Sequence, residues 1–266
     1  MKQFINLTLI AFLTFSLAAC SSSKQMHNDM SAYDEVNDPL EPINRAVFAF
    51  NGVVDTVLLK PIAKGYRMIV PELARDGISN FLANLKSPVN AFNQLLQGDF
   101  EAVGETTLSF VINTTLGVGG LGDVASSQLG LENEEEDFGQ TLAVWGVPDG
   151  PYVVWPILGP SNARDSVGFV ADLASDPLNW YVNRTDKDWI NYTRAGLTVL
   201  DTKARLMDPL DEIQANSLDY YAAIRSVYTQ FRRAQINDTA NSDVMAGGSR
   251  SVQIPDYDEY ELAEYE

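Results

Sequence analysis

The chain has 266 residues, 45% of them hydrophobic, and a formal net charge of −18. That charge argues against a nucleic-acid partner, because phosphate binding needs the opposite sign. His27 is the only histidine and Cys20 the only cysteine, so disulfides, histidine-ligated zinc, and Ser–His–Asp or Cys–His catalysis each lack a required part.

Lys2 and the run FINLTLIAFLTFSLAA give a positive start and an apolar stretch too short and too poorly flanked for a stable span. This pattern predicts a secretory signal peptide over 1–19. It ends in LAAC, and a lone cysteine there resembles the lipobox of bacterial lipoproteins. That resemblance implies cleavage before Cys20, a diacylglycerol on its sulfur and acylation of the new amine, which is more than stable anchoring needs. The following SSSKQ, with no Asp, resembles an outer-membrane address. Residues 20–36 read as a lipidated flexible tether, 37–237 as a single helical domain, and 238–266 as a disordered acidic tail.

Within the domain, Pro39 and Pro42 restrict the backbone before a short helix bearing Ile43, Val47, Phe48 and Phe50. PELARDGISNFLANLKSP predicts a helix with one apolar face, and PVNAFNQLLQG a second short helix closed by Gly98. Asp99 is placed to cap FEAVGETTLSFVINTTL. Ser161 or Asn162 caps the next helix, which Pro177 stops. The longest helices are expected in DKDWINYTRAGLTVLDTKARLMD and DPLDEIQANSLDYYAAIRSVYTQFRRAQIND. A β-like hairpin or re-entrant loop is expected around 138–158, turning at Pro148-Asp149-Gly150. No stretch after the leader reaches the roughly eighteen apolar residues of a membrane helix. No Lys or Arg occurs from 87 to 163; this is either drift in an acidic chain or a polarity that turns basic segments toward anionic head groups.

Two patterns suggest chemistry. LGVGGLGD places glycines at 117, 119 and 122, the spacing of a dinucleotide fingerprint. That spacing has meaning only after a strand and inside a βαβ unit, whereas the preceding segment reads as a helix. The glycines are better suited to a reversal at positive φ with close packing. Glu101 and Glu105 lie four apart and would share a helix face, which leaves a carboxylate hydrolase of lipid or peptidoglycan as an alternative, alongside a structural scaffold. No cofactor, metal or catalytic residue is expected.

NDPLEPINRAVFAFN, NTTLGVGGLGDVAS, DFGQTLAVWGVPDGPYVVWPILGPSNARDSVG, LDTKARLMD and LDYYAAIRSVYTQFRR occur in that order. Together they resemble the VacJ, or MlaA, family of outer-membrane lipoproteins over about 33–236. The resemblance implies a mainly α fold, a ring of amphipathic helices in one leaflet of the outer membrane around an amphipathic channel. It implies a non-enzymatic conduit that moves mislocalised phospholipid from the outer leaflet toward the periplasm. The implied partners are a trimeric porin and a soluble periplasmic carrier like MlaC, which feeds an inner-membrane ABC transporter. By the same resemblance the segment from Gly146 to Gly150 governs the channel, with Trp145, Pro151 and Tyr152 beside it. Arg45, Arg164 and Asp165 are expected either in structural ion pairs or at lipid head groups. Trp145, Tyr152, Trp155, Trp180, Tyr181, Trp189 and Tyr192 suit either an interfacial belt or a core, the core being the commoner place for aromatics.

Overall fold

The computed structural model describes residues 37–131 and 133–242. The leader, Cys20, the tether and the acidic segment from 243 onward lie outside them.

The first helix, α1 (Glu41–Val54), has a proline in its first turn and Glu41 at the positive end of its dipole. It does not stop there. A π turn at Asp55–Leu59 carries it into α2 (Lys60–Ile69). The result is one helix of 29 residues, long and apolar enough to cross a membrane, with only 6% of its most apolar stretch buried. This corrects the expectation of a short helix and of no span-length segment. Asp55 and Lys60 interrupt the apolar run, but they pair with each other, and Asp55 also pairs with Lys203. The widened turn also falls where Pro61 cannot donate to the turn before it.

α3 (Glu72–Gln97) is a single helix where two were expected: Pro88 lies inside it, and Gly98 ends it at φ +87°. Asp99 caps α4 (Phe100–Thr115), its carboxylate accepting from the Ala102 N–H at 2.9 Å. α4 folds back along α3, and Asn84 bonds Thr114 across the pair. Short helices α5 (Val124–Leu129) and α6 (Phe138–Val144) follow, capped by Asp123 and Asp137.

Strands β1 (Tyr152–Trp155) and β2 (Gly159–Asn162) form an antiparallel hairpin, with Tyr152 opposite Asn162 and Trp155 opposite Gly159. The expected hairpin region is therefore corrected in two ways. Its beginning is helical, because Asp137 supplies a cap. Its tip lies at 156–158, while Pro148-Asp149-Gly150 is a loop leading into β1. Ile157 holds φ +68° at the tip.

Asn162 is the cap of α7 (Ala163–Ser175), and Asp176 caps α8 (Pro177–Thr185). α9 (Trp189–Asn216) runs through Pro209, so the break between the last two helices falls at 217–219 and not near 208. α10 (Tyr220–Ser242) continues beyond residue 237, where the tail was expected to begin.

The polarity of the packing is inverted. Gln94, Gln140, Asn44, Asn90 and Asn93 are among the largest fully buried side chains. Ile43, Phe50, Val57, Met68, Ile69, Leu73, Phe100, Val170 and Phe231 are exposed. The buried apolar cluster is small: Tyr152, Val154 and Tyr221, backed by Val47, Phe48 and Tyr228. In water such an exterior is an aggregation hazard; an apolar patch of this extent marks contact with a membrane or a partner.

Candidate functional site

The polar interior is built chiefly by α3 and α4. On α3, Asn84, Ser87, Asn90, Asn93 and Gln94 are buried. On α4, Thr106, Ser109 and Asn113 are buried at spacings of three and four, one face of a helix. Each helix thus turns a carboxamide and hydroxyl stripe inward and leaves its apolar side out, as Leu73, Phe92 and Leu95 do on α3 and Phe100, Leu108 and Val111 on α4. Gln94, Gln97, Thr106 and Ser109 retain buried polar atoms with no partner in the protein. Groups of that kind are costly to bury dry and mark a hydrated or ligand-facing interior. At the Asn84–Asn113 end the stripe opens into a cavity of 330 Å³ whose lining includes Asn80, Asn84, Lys86, Asp123 and Glu135. At the other end Gln97 bonds Glu136 and Thr141, directly before the Gly146–Gly150 loop.

That loop is held at both sides. The Trp145 indole donates to the Leu96 carbonyl at 3.1 Å, and Val147 N–H donates to Leu142. Gly146 and Gly150 both have positive φ, +85° and +70°, a region where a side chain is strained. Around Gly146 there is open space, whereas a Cβ on Gly150 would meet Ala163 at 3.0 Å. Pro151 accepts from Ala163 N–H, and the Tyr152 N–H donates to the Asn37 carbonyl at 2.8 Å. Tyr152 is 2% exposed, and burial pushes its hydroxyl pKa up, with nearby Asp38 adding to the rise.

Asp165 sits where α6, α7 and α10 converge. Arg232 spans Asp165 at 2.8 Å and Asp137 at 2.6 Å, Arg164 pairs with Asp165 at 3.0 Å and with Asp149, and the Tyr228 hydroxyl donates to Asp165 at 2.6 Å. Burial raises the Asp137 pKa, but the guanidinium of Arg232 more than reverses that and holds the carboxyl below its usual range. Arg164 and Asp165 are thereby brought together, facing protein charges. Arg45 is elsewhere, forked on Asp219 and bonded to Glu41, with its plane over Tyr221. Glu101 and Glu105 stand exposed on α4. Neither belongs to the buried stripe of Thr106, Ser109 and Asn113.

The glycine segment follows a helix and no strand. Gly119 and Gly120 take positive φ. A Cβ on Gly117 would fall 2.1 Å from the Gly122 carbonyl, and one on Gly120 would strike Asn84. The segment is a tight reversal pressed onto α3, and Asn113 completes it by bonding Asp123 and accepting from Ala125 N–H.

Of the seven aromatics, Tyr152 alone is buried; Trp145, Trp155, Trp180, Tyr181, Trp189 and Tyr192 are exposed. For these six the core expectation is overturned. Trp145, Trp155 and Trp180 nevertheless bond their indole N–H inside the protein, to Leu96, Ser166 and Ala174. An exposed ring with its polar atom satisfied internally is what an apolar solvent demands.

Two residue sets were missed in the sequence. Gly139 and Gly168 let α6 and α7 touch: a Cβ on Gly168 would lie 2.3 Å from the Gly139 nitrogen. The inward Asn/Gln/Ser/Thr stripe was readable as a helical period, but polar periodicity is ordinarily assigned to solvent.

Residues 36–235 match the family model described as MlaA lipoprotein. The chain belongs to the MlaA lipoprotein family. It is 35% identical to the Escherichia coli intermembrane phospholipid transport system lipoprotein MlaA, over 85% of this chain and 86% of that one. It is 34% identical to a Rickettsia prowazekii protein over 88% and 96%. A solved structure described as "Structural basis for maintenance of bacterial outer membrane lipid asymmetry" aligns with TM-score 0.67 and 38% identity, covering 75% of this chain and 99% of that one. The inverted polarity thus belongs to a member of the MlaA family.

Proposed function

We propose that this chain is the outer-membrane lipoprotein of an intermembrane phospholipid transport system. It acts as a conduit that removes mislocalised phospholipid from the outer leaflet and keeps the membrane asymmetric. The observation that carries this reading is the inverted polarity: an apolar exterior for the hydrocarbon and a carboxamide-lined interior for a polar head. Moving a lipid makes and breaks no bond, so no nucleophile or acid–base pair is required. Cys20 is the lipidated anchor, and the helices lie in the periplasmic leaflet with their apolar faces in the acyl region. The Gly146–Gly150 loop, at the end of the polar stripe, sets the state of the route. A trimeric porin holds the protein in the membrane, and a soluble MlaC-like carrier receives the lipid for an ABC transporter of the inner membrane.

The test is outer-leaflet phospholipid in a deletion strain. Accumulation, with sensitivity to detergent plus chelator, is expected; wild type restores asymmetry and Cys20→Ala does not. Normal asymmetry in the deletion strain refutes the reading.

A further inference from the structure

We infer that the corner where α2 meets α3 is a docking surface for anionic phospholipid. Its apolar tip enters the acyl region, and Lys64 and Arg75 contact the head-group phosphates. The inference rests on the phospholipid-transport reading and deepens it by naming the class of lipid held at this edge of the protein.

Three large side chains form the tip. Met68 and Ile69 end α2 and Leu73 opens α3, and they are 85%, 80% and 85% exposed. A cation stands about one turn back on either side. Lys64 is four residues before Met68 and shares its face of α2; Arg75 follows in the opening turns of α3. One turn is about 5 Å of rise, within the ~5–10 Å to which an interfacial apolar face sinks below the heads. Lysine and arginine at that height reach the phosphates along their own aliphatic stems.

The charge pairing singles out these two residues. Of the six lysines and arginines between Glu41 and Lys86, four are ion-paired: Arg45 with Glu41 and Asp219, Lys60 with Asp55 and Asp211, Arg67 with Asp208, and Lys86 with Glu135. Lys64 and Arg75 have no ion pair among the described residues. The acids nearby are already taken, Asp76 and Asp201 by Arg205 and Asp208 by Arg67. Glu72 is the exception, and it answers the dipole of α3 from the first turn. The Nε of Arg75 is covered and has no acceptor, and its terminal nitrogens have none among the described residues. The acceptors of this guanidinium therefore come from its surroundings.

The sign selects the lipid. Two unpaired cations against one carboxylate leave the corner positive, in a chain of net charge −18. A choline or ethanolamine head carries its own ammonium, which cancels its phosphate; a glycerol head leaves the phosphate unopposed. The planar fork of Arg75 suits two phosphate oxygens, and Lys64 adds a point charge.

The experiment uses the full lipidated chain in dodecyl maltoside micelles doped equally with phosphatidylglycerol and phosphatidylcholine of matched tails. Retained lipid is quantified by mass spectrometry after gel filtration. Phosphatidylglycerol is expected to exceed phosphatidylcholine by about fivefold or more, the effect of one cation at an anionic surface. Lys64→Gln, at an exposed site that needs no repacking, is expected to cut that ratio by about half or more. Adding Arg75→Gln is expected to bring it near unity. Met68→Ser with Leu73→Ser keeps both cations and is expected to lower the phosphatidylglycerol retained by about half, through lost contact with the tails. Equal retention of the two lipids, a ratio unchanged in Lys64→Gln, or retention unchanged in the Met68→Ser and Leu73→Ser variant overturns the inference. Glycerol 3-phosphate in large excess is expected to leave the ratio as it is; displacement of the lipid would make this a site for free phosphate and overturn the lipid assignment. Each of these failures leaves the transport reading intact, which fails separately if the deletion strain keeps its asymmetry.

Discussion

Asn44 and Asn51 lie two turns apart on α1, and each presents its carboxamide to the backbone of the β1 hairpin. Asn44 donates to the Tyr152 carbonyl at 3.0 Å and accepts from Val154 N–H at 2.9 Å. Asn51 does the same with Trp155 and Ile157, at 2.9 and 2.8 Å. A helix thereby satisfies the outer edge of a two-stranded sheet, which would otherwise be open to pairing or to lipid. Asn44→Leu should destabilise the protein by about 2–4 kcal/mol, since it strands two buried backbone groups. Asn51→Leu, at an exposed site, should cost under ~1 kcal/mol. Thermal unfolding in detergent checks both; equal losses would contradict the assignment.

Arg232 neutralises Asp137 and Asp165 together. Arg232→Met leaves two carboxylates facing each other in a buried site and should cost about 3–5 kcal/mol. Asp165→Asn removes one of the charges and should restore part of that loss in the Arg232→Met background. A double-mutant cycle with additive losses would show that the three residues do not act as a unit.

Acid should destabilise the fold through specific carboxylates. Burial pushes Asp38 up, but the bonds from Tyr221, Arg225 and Asn44 outweigh it and hold its carboxyl below 3.8; Asp137 is held down likewise. A carboxylate depressed in the folded state contributes stability above its unfolded value, and that stability is lost as pH falls through the folded one. Asp172 has the opposite sign. Burial raises its pKa despite bonds from Asn93 and Phe138, so its contribution is present at low pH and lost as pH rises through the raised value. Melting temperatures between about pH 3 and 6 should therefore fall on the acid side for wild type. The fall should be steeper in Asp172→Asn, which removes the opposing slope, and shallower in Asp137→Asn.

Caps and stops were legible in the chain: Asp99, Asn162 and Gly98 stand where their side chains or backbone freedom require a helix to begin or end. Pro88 and Pro209 misled, because a lost hydrogen bond breaks a helix only when flanking contacts are too weak to hold both halves in line. α3 is gripped by α4 on one side and by α6 and α9 on others. The interior was not legible for a deeper reason. Periodicity shows which residues share a face, as Asn84, Ser87, Asn90 and Gln94 do, but not which medium that face meets. The pattern of an ordinary amphipathic helix and of one turned inside out is the same string.

The two kinds of glycine should separate cleanly. Gly168→Ala puts a Cβ 2.3 Å from the Gly139 nitrogen, so α6 and α7 must part; little folded protein is expected. Gly146→Ala has open space and only its φ of +85° to oppose it, a cost of about 1–2 kcal/mol. That variant should fold, and a change in lipid passage would be read directly from outer-leaflet phospholipid in cells carrying it. Wild-type asymmetry in that strain counts against a gating role for the loop.

The exposed indoles provide a test of surroundings. In vesicles of phospholipids brominated along the tails, fluorescence from Trp145, Trp155, Trp180 and Trp189 should be quenched by more than half relative to unbrominated vesicles, because bromine acts only on near contact. Unchanged emission would place these rings in water.

The inverted exterior also has a consequence for the folded state itself. A chain that shows Phe50, Met68, Leu73 and Phe231 when folded is safe only once those side chains are covered. Left in water, the same surface would drive self-association. The fold is therefore completed by its surroundings: hydrocarbon takes the place that a buried core holds in a water-soluble protein.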